Sequence, residues 1–349
     1  MGIGENKNSK PGLKGLNWII GKYLCCAFAP LRSLREIKKM SKVKSYLSLI
    51  KFSHTIFAMP FALIGFFLPF KTEVVYGVGQ WNLNTSIGFA EEDIQGHAWI
   101  QSAILFLLVI SCMIFARSAA MAFNRYLDRQ FDTKNPRTAI REIPSGVIAA
   151  KNALVFTIIS SLLFIACTFF INRLCFYLSP VALAVVLGYS YTKRFTPLCH
   201  LILGLGLSLA PIGAYLAVTG QFALLPILFS LAVIFWVSGF DIIYALQDEE
   251  FDKSQQLYSI PAWLGKAKAL RISELLHLLS AAAVIVAGLY GNFGWLYWIG
   301  TSVFVGMLVY QHTIVKPNDL KKVNLAFMTA NGIASVVFAI FVIADLFIN

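Results

Sequence analysis

Nine apolar runs, each of about 20 residues and so long enough to cross a hydrocarbon core, leave this chain few choices of fold. They lie near 47–70, 99–123, 152–171, 174–192, 198–219, 223–246, 274–290, 293–312 and 324–347. A segment in lipid must satisfy its backbone hydrogen bonds internally, which a helix does and an open strand does not. The expected fold class is all-α: an integral membrane bundle of about nine transmembrane helices. Composition agrees, since 58% of residues are hydrophobic, 13% are charged and the mean hydropathy is +0.71, outside the range of soluble domains.

Charge placement orients the bundle. With the N-terminus cytoplasmic, 26 of the 29 Lys and Arg residues fall on the cytoplasmic side: 11 through Lys51, 6 in 124–151, 2 at Lys193 and Arg194, 4 in 248–273 and 3 in 313–323. Lys71 and Arg173 fall outside and Arg117 lies within a span, the pattern of the positive-inside rule. The net charge of +12 is thus concentrated beside the spans, where it sets topology and attracts anionic lipid. Nucleic acid is not the expected partner; the lipid bilayer is, in a bacterial cytoplasmic (inner) membrane. Residues 1–45 are basic and broken by Gly, Pro and Lys22, which suits an interfacial extension ahead of a nine-helix domain over 46–349. Met40 opens a compact basic lead into the first span and offers an alternative translation start. The six cysteines (Cys25, Cys26, Cys112, Cys167, Cys175 and Cys199) show no CxxC spacing and read as small buried side chains.

Against this background two acidic clusters stand out, holding 7 of the 17 acidic residues. One is Asp128 and Asp132 after Asn124; the other is Asp241, Asp248, Glu249, Glu250 and Asp252. A carboxylate near the bilayer core costs roughly 2.5–3.5 kcal/mol on insertion scales, so each cluster needs a compensating partner. Asn124, Asp128 and Asp132 are spaced i, i+4, i+8 and form one stripe on a helix. Asp248 and Asp252 repeat the i, i+4 spacing, with Asp241 two turns earlier. Oxygen donors of this kind suit Mg²⁺, which takes one or two carboxylates and fills its other positions with water and phosphate oxygens. Two such stripes on one membrane face can clamp a diphosphate. The bland alternative is a solvated helix end in which Asp128 pairs with Arg125 or Arg129, and an ordinary acidic loop; shared spacing, depth and side argue against it.

A diphosphate also needs cations. Arg117 lies seven residues before Asn124 on the same helical face, Lys193 and Arg194 end a span on the acidic side, and Arg137 and Arg141 follow the first cluster. Tyr126, Tyr191 and Tyr244 are placed to shield a carbocation by cation–π attraction. His54 is polar at a costly depth and either makes a structural hydrogen bond or meets substrate.

These residues resemble the UbiA superfamily of intramembrane prenyltransferases over roughly residues 42–347. The first motif, NxxxDxxxD, is Asn124, Asp128 and Asp132, continued by Arg137-Thr-Ala-Ile-Arg141-Glu-Ile-Pro144-Ser-Gly146. The second is Asp241-Ile-Ile-Tyr244-Ala-Leu-Gln-Asp248-Glu-Glu-Phe-Asp252, and the turn Tyr189-Ser-Tyr191-Thr-Lys193-Arg194 is intact. The resemblance implies a nine-helix bundle that ionises a polyprenyl diphosphate with Mg²⁺ and lets an electron-rich aromatic ring capture the allylic cation. Asp128, Asp132, Asp248 and Asp252, with Asn124, would hold metal; Asp241 would assist; Arg117, Lys193 and Arg194 would hold phosphate. Arg137, Arg141, Tyr191 and His54 complete the expected substrate contacts. The stretches Phe52-Ser-His54-Thr-Ile-Phe and Leu257-Tyr-Ser259-Ile-Pro261 look like the 4-hydroxybenzoate polyprenyltransferase branch, including members assigned to the futalosine route to menaquinone. Tyr258 stands where many 4-hydroxybenzoate enzymes carry Lys, which tilts the expected acceptor toward 1,4-dihydroxy-6-naphthoate, with Lys51, His54 and Arg141 as candidates for its carboxylate.

Two other readings are weaker. CDP-alcohol phosphotransferases need a D-G-x-x-A-R start that is absent here. A transporter would place ionisable groups at mid-membrane and break paired helices with Gly or Pro, whereas here the charges gather at one face.

Overall fold

The computed structural model describes residues 42–50, 57–71 and 98–349, and the chain from Val43 to Asn349 forms one compact unit. The basic extension and His54 lie outside the described residues. All regular elements among the described residues are helical. The chain runs through α1 (Lys42–Leu49), α2 (Met59–Phe67), α3 (Ala98–Leu127), α4 (Arg129–Lys134), α5 (Ala150–Ile171), α6 (Arg173–Thr192) and α7 (Cys199–Thr219). It continues through α8 (Leu224–Ala245), α9 (Glu249–Ser254), α10 (Ile260–Leu264), α11 (Lys266–Tyr290), α12 (Trp295–Ile314) and α13 (Asn331–Ile348).

Seven helical stretches among the described residues are long and apolar enough to span a membrane: 100–127, 150–171, 173–192, 199–219, 224–254, 266–290 and 325–348. The expected span at 293–312 is present as α12, a 20-residue helix about 30 Å long, but its Trp, Tyr, Gln311 and His312 side chains dilute its hydropathy. The expected run at 47–70 is not one described helix: α1 ends at Leu49 and α2 starts at Met59. Pro60 in the first turn of α2 suits that start, because proline's missing N–H costs nothing where helix N–H groups have no intrahelical partner.

Polar side chains settle how the helices dock, which lipid-like packing alone does not specify. Asn172 caps α6 by accepting from Cys175 N–H at 2.8 Å and donates to the Leu216 carbonyl of α7 at 2.8 Å. Asn331 joins three helices: its Oδ1 accepts from Trp236 Nε1 of α8 at 2.8 Å and from Gln311 Nε2 of α12 at 2.9 Å. Its Nδ2 donates to the Ala326 and Phe327 carbonyls. Residues Leu325–Ala330 form a π-helical turn whose carbonyls are satisfied this way, as a widened turn at membrane depth requires. Around Trp236 an aromatic core of Phe61, Phe229, Phe304 and Phe338 is fully buried. Helices α7 and α8 approach so closely that a Cβ on Gly204 would stand 2.5 Å from the Ile234 carbonyl oxygen, so this contact requires glycine.

Both acidic clusters, the Lys193–Arg194 turn and the start of α11 gather at one end of the bundle, as the charge pattern expects. Cysteines introduced at Lys151 and Lys266 of a cysteine-free variant should label only from the cytoplasmic side, and one at Asn292, in the α11–α12 turn, only from outside. External labelling of Lys266→Cys would contradict this orientation.

Candidate active site

Helices α3, α5, α6, α7 and α8 enclose a cavity of about 650 Å³. Its lining on α7 runs from His200 to Ala217, about 26 Å along the helix. Val109, Phe164, Val185, Leu207 and Ala214 give it apolar walls, and the aspartates of both acidic clusters line it too, while Glu249 and Glu250 do not.

The first stripe bends at Asp128. Helix α3 ends at Leu127 and α4 begins at Arg129 with Asp128 as its N-cap, yet Asp128 N–H still bonds the Asn124 carbonyl at 2.9 Å and Asp132 N–H the Asp128 carbonyl at 2.8 Å. The i, i+4 bonding therefore continues through the joint, and Asn124, Asp128 and Asp132 all line the cavity. Asn124 Nδ2 donates to Asp128 Oδ2 at 3.1 Å. On the opposite wall Asp241 sits within α8, while a 3₁₀ turn ending at Asp248 and the short α9 carry Asp248 and Asp252.

Each of four carboxylates holds one cation. Asp128 pairs with Arg194 at 3.4 Å, Asp132 with Arg141 at 2.6 Å and Asp252 with Lys193 at 2.8 Å. Asp248 pairs with Arg137, whose Nε donates to Asp248 Oδ1 at 3.1 Å and whose Nη1 donates to the Tyr244 hydroxyl at 2.8 Å. The neighbours Lys193 and Arg194 thus reach opposite walls, and Arg137 crosses from the first motif to the second.

Electrostatics follow from this crowding. Burial and the nearby Asp132 charge push the Asp128 carboxyl up to about 6, against the pull of Arg194, Lys193 and Arg141. Burial works against the Lys193 ammonium, but Asp252 beside it outweighs that and holds its pKa above the ordinary value. Arg137 is raised too: burial opposes its charge, and Tyr244 and Asp248 prevail.

Residues 94–333 match the model of the UbiA prenyltransferase family. The chain belongs to this family. A 4-hydroxybenzoate octaprenyltransferase of Tolumonas auensis is 30% identical over 253 residues, covering 69% of this chain and 86% of the relative. One from Nitrosospira multiformis is 29% identical over 236 residues, 68% of this chain and 81% of the relative. Among solved structures, the apo UbiA homologue of Aeropyrum pernix aligns with TM-score 0.66 and 27% identity over 84% of this chain and 97% of its own. A UbiA homologue of Archaeoglobus fulgidus, solved bound to DMAPP and Mg²⁺, aligns with TM-score 0.57 and 20% identity over 87% of this chain and 100% of its own.

The site of this family member fits a divalent ion that arrives with phosphate. Among the described residues no three His, Cys, Asp or Glu side chains could hold a metal by themselves. The oxygen donors are instead split between two walls, the buried Asp132 Oδ2 has no hydrogen-bond partner among the described residues, and burial beside Asp132 disfavours the charge of Asp128, which a further cation would favour. That arrangement suits Mg²⁺, whose remaining positions phosphate and water fill.

Of the residues singled out from sequence, Arg117, Asn124, Asp128, Asp132, Arg137, Arg141, Lys193, Arg194, Asp241, Asp248 and Asp252 line one cavity. Tyr191 does not: it is 45% exposed and packs against Phe123 and Arg194 outside it, while Tyr189 lines the cavity in its place. Tyr258 is 48% exposed and is also absent from the lining; its N–H bonds the Lys193 carbonyl at 2.7 Å, so it ties the two loops together through backbone. Sequence reasoning missed Arg125, His200, Asn135 and Ser259. Arg125 is buried and lines the cavity, yet its Nε and Nη1 have no hydrogen-bond partner among the described residues. Asn135 Nδ2 donates to Asp248 at 3.3 Å and Ser259 Oγ to Asp252 at 2.9 Å. Only the rarity of a histidine inside an apolar run hinted at His200; nothing along the chain set Arg125 apart from the basic loop it opens.

Proposed function

We propose that this protein, a multi-pass integral protein of the inner membrane, transfers a polyprenyl group from its diphosphate to a hydroxylated aromatic acid in quinone biosynthesis. 4-Hydroxybenzoate is the acceptor named for its relatives. The observation that carries this reading is the convergence of both acidic motifs and six basic side chains at the end of one long apolar cavity. Mg²⁺, when bound, supplies Lewis-acid charge on the diphosphate oxygens. Asn124, Asp128 and Asp132 on one wall and Asp248 and Asp252 on the other are the residues that would hold it. Arg117, Lys193, Arg194 and Arg137 offer charge-assisted hydrogen bonds to the leaving diphosphate. The apolar walls take the isoprenoid and keep water from the allylic cation, and the Tyr244 ring, beside Arg137, lines the same end.

Tyr258, on which the tilt toward a naphthoate rested, stands outside the cavity; Lys51 and His54 lie outside the described residues, and Arg141 lines the cavity where it would serve either acid. A transporter reading gains none: the charges pair across one end of the cavity and do not form a path along it.

Purified protein with Mg²⁺ and a panel of prenyl diphosphates should convert 4-hydroxybenzoate to a product whose mass has risen by the prenyl group. In competition with 1,4-dihydroxy-6-naphthoate for limiting prenyl diphosphate, 4-hydroxybenzoate should be preferred about tenfold, or ~1.4 kcal/mol in transition-state binding. A reversed ratio would reassign the acceptor; no prenylated product from either acid would overturn the function.

A further inference from the structure

Asp241 differs from the other four cavity carboxylates. Among the described residues it has no Lys or Arg partner; its Oδ2 is bonded instead to His200 Nδ1 at 2.7 Å. It also sits deeper, seven residues before Asp248 and so about 10 Å further along the helix, where the ring of an acceptor would lie if the diphosphate occupied the cavity end.

His200 is built into place from several sides. It opens α7 and is 3% exposed. Its Nε2 lies 3.4 Å from the Ile260 backbone N–H and its Nδ1 faces the Asp241 carboxylate, so both ring nitrogens are held. Its carbonyl accepts from Ser238 Oγ of α8 at 3.1 Å, and the glycine contact at Gly204 holds α7 against α8. The imidazole is therefore fixed behind Asp241, whose side chain keeps 24% exposure and lines the cavity.

We propose that His200 is a positioning residue: it aims Asp241 Oδ1 at the phenolic hydroxyl of the aromatic acceptor, and Asp241 takes that proton as the ring attacks. This rests on the aromatic-acid reading above. As the new bond forms between the ring carbon and the allylic carbon, the allylic C–O bond to diphosphate breaks and the phenol proton passes to Asp241. The resulting dienone loses its ring proton and recovers a hydroxyl proton, so one proton and one diphosphate leave per prenyl group transferred. The His200 hydrogen bond occupies Oδ2 and leaves the other carboxylate oxygen for the acceptor.

The test compares His200→Ala, His200→Asn and Asp241→Asn with wild type, using whichever acid wild type prenylates and its ring-fluorinated derivative, whose phenol is more acidic. His200→Ala should lower kcat on the parent acid by roughly 100-fold while KM for the prenyl diphosphate stays within about twofold. The fluorinated acid, whose phenol gives up its proton more readily, should recover about tenfold of that loss. The Asn amide can stand where Nδ1 stood, so His200→Asn should recover activity that Ala does not. Equal losses on both acids, or Asn no better than Ala, would mean that His200 only packs the loop at Ile260. If a His200 variant does not fold, Asp241→Asn carries the same comparison of the two acids. Failure of wild type on every aromatic acid would sink the aromatic-acid reading instead, a separate outcome.

Discussion

Asp128→Asn and Asp248→Asn should each lower kcat/KM by at least about a thousandfold, ~4 kcal/mol of transition-state stabilisation, while the protein stays folded. Asn keeps the volume and an oxygen acceptor, so Arg194 and Arg137 retain a partner, but it removes the charge that a divalent ion needs. The two residues lie on opposite walls and in different motifs, and a clamp requires both. Activity of either variant within tenfold of wild type, measured as prenylated product by mass, would falsify the two-walled clamp. Retained thermal unfolding temperatures would separate lost chemistry from lost structure.

Chelating divalent metal should abolish turnover, and Mg²⁺ should restore it. A sharper expectation comes from the pairing in the site. Because Asp128, Asp132, Asp248 and Asp252 are each engaged by a cation and no three acidic, His or Cys groups among the described residues can hold an ion unaided, Mg²⁺ alone should bind weakly. Diphosphate would compete for Lys193, Arg194 and Arg137, the partners of Asp252, Asp128 and Asp248, and so free carboxylate oxygens that would hold the ion. Mg²⁺ with a prenyl diphosphate should therefore raise the Tm, by about 2.7 kcal/mol of stabilisation when ligand is at 100 times its Kd, and either one alone should do much less. Strong stabilisation by Mg²⁺ without diphosphate would show a preformed metal site and contradict this coupling.

The spacing that made the acidic stripes legible is local: i, i+4 residues share a face whatever surrounds the helix. The same locality misplaced Tyr191. Successive helical residues point about 100° apart, and nothing along the chain says whether Tyr189 or Tyr191 of one tyrosine-rich turn meets the cavity. Nor does it reveal that Asp128 turns to Arg194, 66 residues away, and not to its neighbour Arg125. Arg137 and Asp248 are 111 residues apart, and His200 and Asp241 are 41 apart. Each pairing exists because helices pack side by side.

Helical class, the gathering of charge at one end of the bundle, the two acidic motifs and membership of a prenyltransferase family were all present in the order of residues, because hydropathy, charge asymmetry and helical period act along the chain. The π turn held by Asn331, the crosswise ion pairs and the histidine behind Asp241 belong to the tertiary structure. They follow from polar groups in a low-dielectric bundle, which must find partners on whichever helix lies nearest, and nearness in a bundle is decided by packing and not by sequence distance.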